Sequence, residues 1–232
     1  MSENIRDAIE RCDLLSLSLL FQSPKELETG IYDMGWYTPL MYASKLGLLP
    51  VVDLLLSLGA NVDYTTDHQL NALHHAVRGR HANVVRSLIV AGSDINFPNS
   101  NGWTPLYSAI DEEHYAIIDL LLGAGADPNI QSHMGWTCLH LAAHEGLTDL
   151  VKVFLAGGAD IESRTTIGCT ALHHAANMGH SDIIRLLLEA GADVNPESHE
   201  GTTPLGFALT YKHASCVDIL TAHGAIGATI CL

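Results

Sequence analysis

Paired cysteines are missing from this chain. Its cysteines, Cys12, Cys138, Cys169, Cys216 and Cys231, are odd in number, and no two stand in a C-x-x-C spacing. That excludes the even, closely spaced framework of a secreted disulfide scaffold and leads to the expectation of a reducing, cytoplasmic compartment. Basic charge is scarce as well. Eleven lysines and arginines stand against 26 aspartates and glutamates, a net charge of −15. The balance opposes binding to nucleic acid or to an anionic membrane surface and favours a basic partner, with acidic solubility as the competing reading. No apolar run reaches the length of about 18 residues that a membrane span needs. The start, "MSENIRDAIERCD", lacks the apolar core of a signal peptide. The end, "ATICL", has its cysteine one place from the terminus, which is wrong for prenylation. No phosphate-cradling glycine loop, nucleophile elbow or dinucleotide fingerprint occurs.

What is present is repetition. Thr38-Pro39-Leu40 returns as Asn71-Ala72-Leu73, Thr104-Pro105-Leu106, Thr137-Cys138-Leu139, Thr170-Ala171-Leu172 and Thr203-Pro204-Leu205, each step being 33 residues. A second phrase keeps the same beat: "GANVD" from Gly59, then "GSDIN", "GADPN", "GADIE", "GADVN", and "GAIGA" from Gly224. A fixed period of this length marks a stacked repeat architecture.

Each unit reads mechanically. The Thr or Asn is a helix N-cap whose side-chain oxygen accepts from a first-turn N–H. Pro39, Pro105 and Pro204 follow at the first helical position, where the missing N–H costs nothing. A short helix ends at a left-handed cap glycine such as Gly47, Gly146 or Gly179. A second helix shows apolar spacing of three and four, as at Ile183, Ile184, Leu187 and Leu188. One pair cannot bury its own apolar face, so neighbours must stack, and Ala43, Ala76, Ala109, Ala142, Ala175 and Ala208 allow close approach. Pro50 falls in the first turn of its helix, where proline is tolerated.

These phrases, above all "GCTALHHAANMGHSDIIRLLLEAGADVN" from Gly168 to Asn195, resemble the ankyrin-repeat family. The resemblance covers residues 33 to about 230. It implies an all-α solenoid of stacked helix-turn-helix units with projecting β-hairpin loops. The expected divisions are a degenerate N-terminal capping repeat at 1–32, repeats at 33–65, 66–98, 99–131, 132–164 and 165–197, and a C-terminal capping repeat at 198–232. Ile5, Ala8, Ile9 and Cys12, then Leu14, Leu17, Leu20 and Phe21, are helix-spaced in the first cap. The tail ending Ile230-Cys231-Leu232 is expected to fold on the last helices, a free C-terminal ligand being the other reading.

The resemblance also implies where a partner binds: a concave face of hairpin tips and first helices. The slot before the capping residue holds Tyr37, Leu70, Trp103, Trp136, Cys169 and Thr202, and Trp36 adjoins it, so all three tryptophans lie in or beside one slot. Tryptophan is enriched at binding hot spots. Packing of these rings on neighbouring hairpins is the competing reading. The ends of the first helices vary without rule and include Asp111, Glu112, His144, Glu145, Met178 and Tyr211. Trp36, Tyr37, Leu70, Trp103, Asp111, Glu112, Trp136, His144, Glu145, Met178 and Tyr211 are therefore the candidate partner contacts. Asp111, Glu112, Glu113 and Glu145 make the centre acidic, which suits a basic segment, although exposed single charges often contribute little. Glu113 replaces a turn glycine and demands either a left-handed residue or a reshaped turn.

Fourteen histidines raise the question of catalysis. His74, His140 and His173 occupy the histidine of the family's "TPLH" phrase, where the resemblance implies hydrogen bonding between repeats. His75 and His174 are expected at the surface. His140 and His144 stand four apart, a zinc-compatible spacing, but Leu141 replaces the glutamate of H-E-x-x-H and no third ligand sits at a motif distance. The expectation is a non-enzyme without metal or cofactor, monomeric alone, that binds another protein as adaptor or scaffold. The alternative is a dedicated acidic inhibitor, such as a bacterial immunity protein, that masks a basic enzyme or toxin.

Overall fold

One local rule starts the first helix of the repeats. In a computed structural model describing residues 2–21, 24–28, 37–65 and 69–226, Thr38, Asn71, Thr104, Thr137 and Thr203 are extended and accept, through their side chains, the N–H three residues on. The inner helices are α4 (Pro39–Leu46), α6 (Ala72–Arg78), α8 (Pro105–Asp111), α10 (Cys138–Glu145), α12 (Ala171–Met178), where the His173 N–H goes to the Thr170 carbonyl instead, and α14 (Pro204–Thr210). Each is followed by an outer helix: α5 (Leu49–Ser57), α7 (Ala82–Val90), α9 (Tyr115–Gly123), α11 (Thr148–Ala156), α13 (Ser181–Glu189) and α15 (Ala214–Ala222). Before them run α1 (Ser2–Glu10), α2 (Leu14–Leu20) and α3 (Pro24–Leu27).

The chain forms two compact units, residues 1–127 and 128–232. The division falls inside the repeat expected at 99–131. In the first unit α4, α6 and α8 pack side by side, with α5, α7 and α9 forming a second layer. There α1 and α2 pack on each other and against α4 and α5. Ala8, Ile9, Leu17 and Phe21 are buried, whereas Cys12 is exposed in the turn between them with φ 52°. In the second unit α10, α12 and α14 form the inner layer and α11, α13 and α15 the outer.

The six phased alanines are fully buried. A methyl is small enough to let neighbouring inner helices approach closely at that level. The outer helices other than α15 bury triplets spaced i, i+1, i+4, such as Ile117, Ile118 and Leu121, or Ile183, Ile184 and Leu187.

The connecting loops are series of tight turns, and no strand occurs among the described residues. Asn99, Ser132, Thr165 and Ser198 donate N–H to the carbonyls of Trp103, Trp136, Cys169 and Thr202 at 2.9 Å each. Neighbouring loops share few backbone bonds, so no ladder builds. Side chains stitch them instead. Asp63 accepts from Asp94 N–H (3.1 Å) and Asn96 from Asp127 N–H (2.9 Å) in the first unit. Asn129, Glu162 and Asn195 accept from Asp160, Asp193 and Ile226 (2.9, 2.8 and 3.0 Å) in the second. The last residue of each "GADxN" phrase is thus a clamp on the next repeat.

Candidate functional site

The turn after each inner helix is left-handed in all six repeats: Gly47, Arg80, Glu113, Gly146, Gly179 and Lys212 have φ between 54° and 82°. Glu113 therefore keeps the turn and takes the strained conformation, as Arg80 and Lys212 do. Glycine serves a second purpose where it occurs. A Cβ on Gly47 would lie 2.3 Å from the His81 ring, and one on Gly146 2.7 Å from His180. Those rings reach over the glycine and stand 3.0 and 2.9 Å, through Nε2, from the carbonyls of Lys45 and His144. After Arg80 the next histidine is held differently: Arg80 Nε donates to His114 Nε2 at 3.1 Å.

The helix-end residues of the first unit meet a loop aromatic at a cleft of about 380 Å³, walled by Leu70, Trp103, Arg78, Asp111 and Glu112 with Asn101 at its edge. Four of the sequence-predicted contacts are thereby brought together. Trp103 is half-buried and stacks on Tyr107, ring centroids 5.3 Å apart and 20° from parallel. Asp111 is exposed. Glu112 is half-buried, its carboxylate 3.8 Å from Arg78 Nε and 3.2 Å from His114 Nε2, while its carbonyl accepts from Arg80 (3.2 Å). Tyr37 is half-buried against His75 at 4.8 Å, with the Lys45 ammonium 4.8 Å from its ring centre. Trp36 lies outside the described residues, as does the tail from 227 on.

In the second unit Trp136 is half-buried over a cluster of imidazoles: His174 at 4.3 Å, His144 at 5.4 Å and His140 at 6.3 Å between ring centroids. Glu145, Met178 and Tyr211 are exposed at successive helix ends. Glu145 lies 3.9 Å from His144 Nε2.

His75 and His174 are not at the surface; they are 5% and 8% exposed. The aromatic 38 residues earlier roofs each ring, Tyr37 for His75 and Trp136 for His174. Burial pushes both down to about 3. Their Nε2 atoms are buried without a partner, as is His144 Nδ1.

The "TPLH" histidines bridge repeats, with one variation. Thr137 and Thr170 donate backbone N–H to Nδ1 of His140 and His173 (3.2 and 3.0 Å). Nδ1 is thus an acceptor, and Nε2–H points at the carbonyls of Cys169 and Thr202 (3.2 and 3.0 Å). Both ring nitrogens of His140 are engaged, so it has none to give a metal. His74 instead faces two acceptors, Asn71 Oδ1 at 2.8 Å and Trp103 O at 3.4 Å. Burial holds His74 at about 4, so the neutral ring has one N–H for two oxygens and the bridge is the longer contact. Burial likewise holds His140 and His173 at about 4.

Sequence reasoning missed Met134 and Ile167, 61% and 57% exposed at the loop tips. Their signal was position: each precedes a turn glycine, Gly135 or Gly168, with φ 74° or 79°.

Comparison with known proteins agrees with this architecture. The family model for ankyrin repeats (3 copies) matches residues 40–132, 120–198 and 139–230. An ankyrin repeat protein from Fowlpox virus (strain NVSL) is 31% identical over 85 residues, which is 37% of this chain and 12% of the viral protein, so the match spans a small part of that relative's length. Among solved structures, the ankyrin repeat domain of Bcl-3, described as a unique member of the IkappaB protein family, superposes with a TM-score of 0.78. That match is 29% identical and covers 87% of this chain and 92% of the other.

Proposed function

Because the chain belongs to the ankyrin-repeat family, whose repeats serve as general protein-binding modules, we propose that it is a non-catalytic adaptor or scaffold whose inner-helix ends and loop tips hold another protein. The observation that supports this reading is the cleft beside Trp103. A half-buried indole, an exposed Asp111 and a side wall from Leu70 converge on one opening of about 380 Å³. Amphipathic aromatic area next to directional charge is the composition of an interface hot spot. The cleft is built on capped helices and stitched turns, so little ordering entropy is lost when a partner docks.

Affinity capture from the source lysate tests the reading. The wild-type chain is compared with Trp103→Ala and Trp136→Ala, singly and together, after their thermal midpoints are matched. A protein retained by the wild type and lost by the double variant is the expected result. The same proteins captured equally by both place the contact surface elsewhere. The net charge of −15 supports the second reading, an inhibitor of a basic enzyme or toxin.

A further inference from the structure

In the unit that begins at Pro128, two rows of exposed side chains run across the repeats. One row stands at the inner-helix ends: Glu145 on α10, Met178 on α12, and Tyr211, the cap of α14. The other stands at the loop tips: Met134, Ile167 and Glu200, each just before a turn glycine. Consecutive tips are tied to each other, Thr166 N–H to Met134 O and His199 N–H to Ile167 O, at 3.0 Å each. Trp136 joins the rows, since it follows Met134 by two residues and its ring meets His144 edge-on. Met134, Ile167, Met178 and Tyr211 are between 43% and 61% exposed, which is a large apolar area to leave in water.

The spacing of these rows selects the shape of what covers them. The inner helices α10, α12 and α14 pack in order, so equivalent side chains recur at about 8–10 Å, the usual distance between packed helices. Along an α-helix the same face returns after seven residues, a rise of about 10.5 Å. An extended chain returns to one face at about 6.7 or about 13 Å and falls out of step with such a row. Charge sets the ends. Glu145 opens the helix-end row and Glu200 closes the tip row, so acid lies at diagonal corners. No lysine or arginine stands in either row; Lys212 follows Tyr211 in the turn beyond it.

We propose that this unit binds an amphipathic α-helix laid across its repeats. Apolar residues seven apart seat against Met178 and Tyr211 on one side and Met134 and Ile167 on the other. A lysine or arginine near each end of the helix meets Glu145 and Glu200. This rests on the inner face being the partner-binding surface, and it adds the partner's secondary structure, register and charge.

Selection of displayed random peptides of about 20 residues, enough for ~30 Å of helix, on the full chain tests it. Selected peptides are then synthesised and titrated by fluorescence anisotropy, with far-UV circular dichroism reporting helix formation on binding. The expected binders carry apolar residues seven apart with basic ends and gain helicity. Their affinity for the Met178→Ser/Tyr211→Ser variant falls about tenfold or more, in line with loss of two anchors. Glu145→Gln/Glu200→Gln weakens them less and reduces their salt dependence. Both pairs are exposed, so unchanged thermal midpoints are required of the variants. Binders that alternate apolar and polar residues, or that bind the Met178→Ser/Tyr211→Ser variant as well as the wild type, overturn the helix. If such binders are lost on Trp103→Ala, the inner-face reading survives without it. Binders indifferent to every inner-face variant, or no binders at all, overturn both.

Discussion

At Glu113 a side chain with a Cβ holds a backbone conformation that glycine holds in three other repeats. A left-handed residue of this kind costs about 1–2 kcal/mol. Glycine at Gly47 and Gly146 avoids that cost and also clears space for a histidine ring. Glu113 makes one weak bond in exchange: Tyr115 Oη donates to its carboxylate at 3.3 Å. Replacement by glycine is therefore expected to stabilise the chain by about 0.5–1 kcal/mol in urea unfolding, the relief of strain being partly offset by the entropy of an unfolded glycine. A destabilised Glu113→Gly protein would mean that the carboxylate contributes more than its single bond suggests. The sequence marks this position as irregular but does not say which way the irregularity resolves. When glycine fills the turn, the letter itself reports the conformation; when Glu113, Arg80 or Lys212 does, the need for positive φ is hidden in the letters.

Helices and their caps were legible because a cap is a local bargain between a side chain and an N–H three residues on. Thr104 accepting from Tyr107 needs nothing outside its own turn. The burial of His75 and His174 was not legible, because what covers each ring belongs to the preceding repeat. The loop clamps were hidden for the same reason: Asn129 looks like turn material until Asp160 arrives beside it. Packing between elements thus decides the state of five histidines on the inner helices. His74, His140 and His173 are held at about 4, and His75 and His174 at about 3, all by burial, from an ordinary 6.5. Unfolded histidines take up protons as pH falls below about 6.5, whereas the folded ones stay neutral until about 4 or 3, so acid favours the unfolded chain. Stability is fully present above pH ~6.5 and declines through the window below it, each such histidine adding a slope of up to about 1.4 kcal/mol per pH unit. Urea midpoints at pH 7.5 and pH 5.0 should differ strongly, and His174→Gln should flatten the dependence by about one proton. Equal midpoints at the two pH values would show that these rings are solvated rather than enclosed.

For the whole molecule the distinguishing quantity is charge. A net charge of −15 exerts its effect over about a Debye length, ~10 Å at 0.1 M salt and ~3 Å at 1 M. If the captured partner is a basic enzyme or toxin, this field accelerates encounter more than it tightens the final complex. The association rate, measured by stopped flow or surface plasmon resonance, should then fall about tenfold or more between ~0.05 and ~0.5 M salt, with a much smaller change in dissociation. Asp111 and Glu112 should not share this effect equally. Asp111 is exposed, whereas Glu112 already faces Arg78 and His114 within its own unit. Asp111→Asn should therefore slow association more than Glu112→Gln does. Glu112→Gln should instead show its loss in stability, since it leaves Arg78 without its carboxylate partner, whereas the bond from Arg80 to the Glu112 carbonyl stays. An association rate indifferent to salt would count against the inhibitor reading and leave the adaptor reading in place, because a partner held by Trp103 and apolar contacts needs no long-range steering.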